Sequence, residues 1–142
     1  MKILIATLAL AVGLLGSGCK ELTPEDIAYS QKFRAQPTTF VLPADKADDA
    51  WSRALDFVNH YSGMQIQEVS DTMIKTYPPA LDRYGYTVTR SNTKSGVRFT
   101  VICYGDTPPI PSNNAHIAAL YIATGEEPRT ISMDTCWHAV CE

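Results

Sequence analysis

The chain has 142 residues, of which 45% are hydrophobic and 19% charged, with 12 basic against 15 acidic side chains and a net charge of −3. That size supports one domain with one modest core. The composition argues against a disordered chain, a polytopic membrane protein and a coiled coil, and the slightly acidic balance argues against a nucleic-acid partner, which calls for a basic face.

Lys2 is followed by an apolar run from Ile3 to Leu15, interrupted only by Thr7 and Gly13, and then by Gly16, Ser17 and Gly18. A positive start, a short apolar centre and a small-residue end are the parts of a secretory signal peptide, and the run falls short of the roughly 20 residues a spanning helix needs. Residues 1–18 are therefore expected to be a cleaved leader. The stretch Leu15-Gly16-Ser17-Gly18-Cys19 resembles the lipobox of bacterial lipoproteins, with its leucine one place earlier than usual. The resemblance covers the leader only. It implies acylation of Cys19 and cleavage just before it, while ordinary cleavage after Gly16-Ser17-Gly18 would leave the same first residue. With Lys20 after the cysteine, the enterobacterial sorting rule would place the protein at the outer membrane, facing the periplasm. Without its leader the chain carries 11 basic and 15 acidic residues, net −4, so attraction to anionic lipid contributes nothing and the acyl chains do the holding.

Residues 19–43 are polar and hold Pro24, Pro37 and Pro43, which reads as a lipid-anchored tether. Within it, Thr23-Pro24-Glu25-Asp26 has the chemistry of a helix start, giving a short helix to about Arg34. Thr38 to Leu42 follows as a short edge strand or an extended lead-in. A single domain is expected over residues 44–142. It opens with a helix from Lys46 to about Ser62, with Asp45 as its N-cap and Gly63 as its stop. Ala47, Ala50, Trp51, Ala54, Leu55, Val58 and Tyr61 recur at three- and four-residue steps as its apolar face. Arg53 falls on the polar side, within a turn of Asp49 and Asp56.

Three segments rich in β-branched and aromatic residues come next: Met64 to Tyr77, Tyr84 to Arg90 and Val97 to Tyr104. The turn-like breaks between them favour antiparallel hairpins, and the loss of phase from Glu68 to Asp71 predicts a bulge or bend. A second helix is expected from Asn113 or Asn114 to Thr124, stopped by Gly125, with Ile117, Leu120 and Tyr121 as its stripe. The order α-β-β-β-α predicts an α+β fold of two layers. A three-stranded antiparallel meander, with Thr38 to Leu42 as a fourth edge strand if it pairs, is covered on one face by two helices.

If Cys19 is acylated, Cys103, Cys136 and Cys141 remain for one disulfide in an oxidising compartment. A bond from Cys103 to Cys136 or Cys141 would fasten the C-terminal tail, whereas Cys136 to Cys141 would close only a small loop. The tail pattern Cys136-x-His138-x-x-Cys141 also offers metal-ligand chemistry, but its spacing matches no standard zinc, haem or thiol-exchange set, so no metal and no cofactor is expected. His60, His116 and His138 lack a nucleophile placed by any local signature, and surface or packing roles are expected for all three. Glu68, Asp71, Asp82 and Asp106 read as solvated turn and edge charges rather than a glycan-cleaving pair. Alternation along the last two strands sets Thr87, Thr89, Arg98, Thr100, Ile102 and Tyr104 on an outward sheet face able to bind a partner.

The sequence thus points to a cell-envelope lipoprotein attached to the membrane by an N-terminal lipid. Its domain is expected to be a non-enzymatic interaction or structural module for another envelope protein or a cell-wall glycan. The competing class is a metal-binding or Cys/His-dependent enzyme built on the C-terminal tail.

Overall fold

The computed structural model describes residues 22–80, 83–105 and 110–129, which belong to one unit. The fold is α+β, with three helices and a five-stranded antiparallel sheet. In chain order the elements are α1 (Pro24–Ala35), β1 (Thr39–Leu42), α2 (Ala44–Tyr61), β2 (Ile66–Val69), β3 (Met73–Thr76), β4 (Gly85–Thr93), β5 (Gly96–Tyr104) and α3 (Ile110–Thr124). The sheet order is β1-β5-β4-β3-β2, a meander from β2 to β5 with β1 added along the far side of β5.

Two strands were not expected in this form, and each has a local cause. The segment Met64 to Tyr77 is a hairpin, not one strand. Ser70 ends β2 by accepting at its hydroxyl from the Met73 amide at 3.1 Å, while its own amide donates to the Met73 carbonyl at 2.8 Å. Gln67 bulges out of the β2 register as well, so the phase lost between Glu68 and Asp71 marks a bulge and a chain reversal together. Thr39 to Leu42 is paired along its whole length with β5, Thr39 opposite Thr100 and Leu42 opposite Val97. Gly96 makes this close approach possible, because its φ is +140° and a Cβ there would collide with the Leu42 carbonyl oxygen.

The helices also depart from expectation at their ends. Pro43 and not Asp45 precedes α2, with no side-chain cap, and Ser62 in an extended conformation ends it without using Gly63. Asn113 and Asn114 lie inside α3, which begins at Ile110 with Pro111 second in it, where a missing N–H costs nothing. Gly125 stops α3 as its sequence position implies, with φ +78° and its amide donating to the Tyr121 carbonyl at 2.8 Å.

α2 and α3 cover one face of the sheet. Ala50, Ala54, Ala118 and Ala119 are small enough for close packing and fully buried, and Ile74, Val88, Phe99 and Val101 meet them from the sheet. Phe57, which the helical periodicity left out of the apolar face, is 2% exposed at the centre of a ring cluster with Tyr61, Tyr86 and Tyr121. Arg53 does not pair with Asp49 or Asp56. Its Nε and Nη2 donate to the Ile122 carbonyl at 2.9 and 2.7 Å, satisfying the C-terminal end of α3 where a cation also meets the helix dipole.

The largest correction concerns the tether. Thr23 and Asp26 form a capping box at the start of α1, and the helix then docks on α3 through Tyr29 and Phe33, 2% and 1% exposed, against Leu120. Lys32 to Glu126 at 3.0 Å and His116 Nδ1 to the Gln36 carbonyl at 2.6 Å add polar ties. Residues 24–42 are thus built into the domain and do not form a free polar chain. Leu22 and Thr23 are the only described residues ahead of α1.

Candidate functional site

With both main helices on one side, the opposite face of the sheet is left uncovered among the described residues. Antiparallel register puts directly opposed residues on the same face, which fixes its layout. Thr39, Thr100, Thr89 and Met73 form one row across four strands. Ile102, Thr87, Lys75 and Glu68 form the next, and Tyr104 opposite Gly85 begins a third. Val41 opposite Arg98 lies at the other end. All six residues expected on an outward face, Thr87, Thr89, Arg98, Thr100, Ile102 and Tyr104, are therefore brought together on it.

The face is not merely polar. Of the seven exposed large hydrophobic side chains among the described residues, Val41, Tyr77, Ile102 and Tyr104 lie here. Thr39 donates to the Thr100 hydroxyl at 3.3 Å, whereas Thr87, Thr89 and Arg98 have no side-chain partner among the described residues.

One end of the face is a groove of about 510 Å³ lined by Lys75, Tyr77, Pro78, Pro79, Thr87 and Tyr104, among others. Its shape begins at Gly85, where a Cβ would lie 2.9 Å from the Thr76 hydroxyl and 3.1 Å from the Tyr77 carbonyl oxygen. A side chain at that position would push the Tyr77 to Pro79 segment away. Thr76 holds the corner by accepting from the Tyr86 amide at 2.9 Å and donating to the Tyr77 carbonyl at 3.0 Å. Lys75 and Tyr77 were missed by sequence reasoning. Once Met73 is taken as the start of a new strand, alternation places Met73, Lys75 and Tyr77 together on the outward side.

Cys103 borders this groove from the inward phase of β5 and packs against the core, opposite Tyr86. Burial pushes its thiol up to about 11, an effect only partly opposed by the Tyr86 hydroxyl that hydrogen-bonds to it. A thiol that stays protonated at neutral pH is a poor nucleophile and a poor metal ligand. Its expected disulfide partners, Cys136 and Cys141, and the tail histidine His138 lie outside the described residues, as does Cys19.

The other expected groups have ordinary surroundings. Among the described residues no three His, Cys, Asp or Glu side chains are placed to hold a metal ion. His60 sits 3.0 Å from Asp56, and both are solvent-accessible. Glu68 and Asp71 are exposed, while Asp82 and Asp106 lie outside the described residues. A second cavity of about 350 Å³ contains Arg90, Asp48 and Asp71. There the Arg90 guanidinium stacks 4.7 Å from the Trp51 ring centroid and donates to Asp48 Oδ1 at 2.8 Å and the Asp71 carbonyl at 2.6 Å. Its charge is used to join α2 to the β2–β3 turn.

No protein-family model, no curated protein and no solved structure matches the chain.

Proposed function

We propose that the chain is a bacterial cell-envelope lipoprotein, held at the outer membrane by acyl chains on Cys19, whose domain is a non-enzymatic interaction module. The observation that carries this reading is the uncovered sheet face, where four of the seven exposed large hydrophobic side chains of the described residues are gathered among threonines. The lipobox-like leader supports the location, and the lack of a catalytic signature supports binding over chemistry.

Two measurements test the two halves. Cys19→Ala moves the protein from the membrane pellet to the soluble fraction, and unchanged sedimentation contradicts the anchor. A photo-crosslinking side chain at Thr100, in the middle of the face, captures an envelope component, while the same group at exposed Asn59 on α2 does not. Equal capture from both positions, or none from Thr100, contradicts the binding face.

A further inference from the structure

We propose that the Tyr77–Tyr104 groove is a saccharide subsite that takes a carboxylate-bearing sugar of a cell-wall glycan strand. The inference rests on the interaction-module reading and names its ligand class. Tyr77 and Tyr104 are 48% and 44% exposed, so each keeps a ring surface in solvent although both stand beside the sheet. Exposed tyrosine rings present an electron-rich face to the C–H side of a pyranose, and their hydroxyls remain available to its oxygens. Neither hydroxyl has a partner among the described residues, nor does that of Thr87, which lies on the groove floor between them. The volume of about 510 Å³ falls within the range of small-ligand clefts, roughly 300 to 1,000 Å³.

Charge selects among sugars. The chain without its leader is net −4, yet among the described residues the only charged side chain lining this groove is the Lys75 ammonium. Lys75 forms no ion pair among the described residues, even though Glu68 stands opposite it on the edge strand β2. Among the described residues the only other charge on the face is Arg98, so their part of the surface carries two cations against one carboxylate on an otherwise acidic molecule. A neutral sugar would use the tyrosines and leave Lys75 idle; a carboxylate on the sugar engages all three. An acidic peptide could also meet Lys75. Because β1 pairs β5 only along Val97 to Thr100, with the Val101 amide donating to the Thr38 carbonyl, the β5 edge from Ile102 to Tyr104 has no strand beside it among the described residues. The two exposed tyrosine rings favour a sugar, and the peptide is the competing outcome of the test.

The test uses the full chain in detergent, isotope-labelled for amide NMR, titrated with the disaccharide N-acetylglucosaminyl-N-acetylmuramic acid. Chitobiose serves as its neutral counterpart, and an acidic hexapeptide as the competing class. The expected result is saturable shifts at Lys75, Tyr77, Thr87 and Tyr104, with the carboxylated disaccharide binding more tightly than chitobiose. Lys75→Gln then removes that preference, about a five- to tenfold loss for the charged sugar alone. Tyr104→Ala abolishes shifts from both sugars while the remaining amide spectrum is retained. Equal binding of the two disaccharides, shifts that avoid the groove, or saturation by the peptide alone overturns the proposal. The crosslinking result at Thr100 is independent of all three, so the failure of the ligand assignment is distinguishable from failure of the binding face.

Discussion

Cys103 and Tyr121 carry the clearest pH consequences at the scale of single residues. In the reduced protein the Cys103 thiol moves from an ordinary 9.0 up to about 11 through burial, and in either redox state the Tyr121 phenol moves from 10.0 up to about 12 through its 2.6 Å hydrogen bond to Asp56. Both folded-state values lie above the unfolded ones. The stability linked to the neutral forms is therefore complete below pH 9 and is lost as pH rises towards 12. Two outcomes are expected. Fully reduced protein alkylates at Cys103 about a hundredfold more slowly at pH 8 than a thiol of ordinary acidity, and mass-spectrometric rates near that of a free cysteine would contradict it. Asp56→Asn shifts the tyrosinate absorbance step of Tyr121 down towards 10, and an unmoved step would contradict the hydrogen bond as its cause. Gly96→Ala is a backbone test: with φ +140° and the Leu42 carbonyl against it, the substitution lowers stability by roughly 2 kcal/mol or more in urea unfolding.

Among the elements, α1 shows best what packing adds to local chemistry. A 12-residue helix is marginal by itself, and α1 owes its place to two aromatic side chains four residues apart, Tyr29 and Phe33, joined to Leu120 in a small core separate from the main one. Phe33→Ala is expected to cost about 3 kcal/mol locally. Amide exchange should accelerate through α1 first and leave β4 and β5 protected; uniform acceleration would mean that α1 is part of one indivisible core.

Sequence reading succeeds in this region where the signal is chemical and local, as with Thr23, Pro24 and Asp26 at the helix start. It fails where the signal depends on a neighbour. Tyr29 and Phe33 look like isolated aromatics in a polar stretch until α3 is set beside them. The β2–β3 hairpin is hidden for a related reason: a serine hydroxyl makes its turn without glycine or proline, so one run of strand-like residues conceals two strands. The outward set from Thr87 to Tyr104 could be read from alternation alone, because β4 and β5 are long and in phase. Lys75 and Tyr77 could not, because their face depends on finding that turn.

For the whole molecule, the docking of α1 bears on how the proposed anchor and the proposed binding face are related. Cys19 stands five residues before Pro24, a leash of at most ~18 Å, where a free chain to the domain would have reached further. α1 packs on α3, α3 packs on the inner face of the sheet, and the uncovered face lies on the other side of that sheet. The threonine- and tyrosine-bearing surface thus lies on the side of the sheet opposite α1, the first described element after the proposed lipid site. The most direct test is the intact mass of the membrane-extracted protein with and without reductant. The account predicts a chain beginning at Cys19 that carries the mass of a diacylglyceryl group and an N-linked acyl chain, and that gains two hydrogen atoms on reduction for a single disulfide. A mass equal to the unmodified chain, with or without residues 1–18, would contradict it.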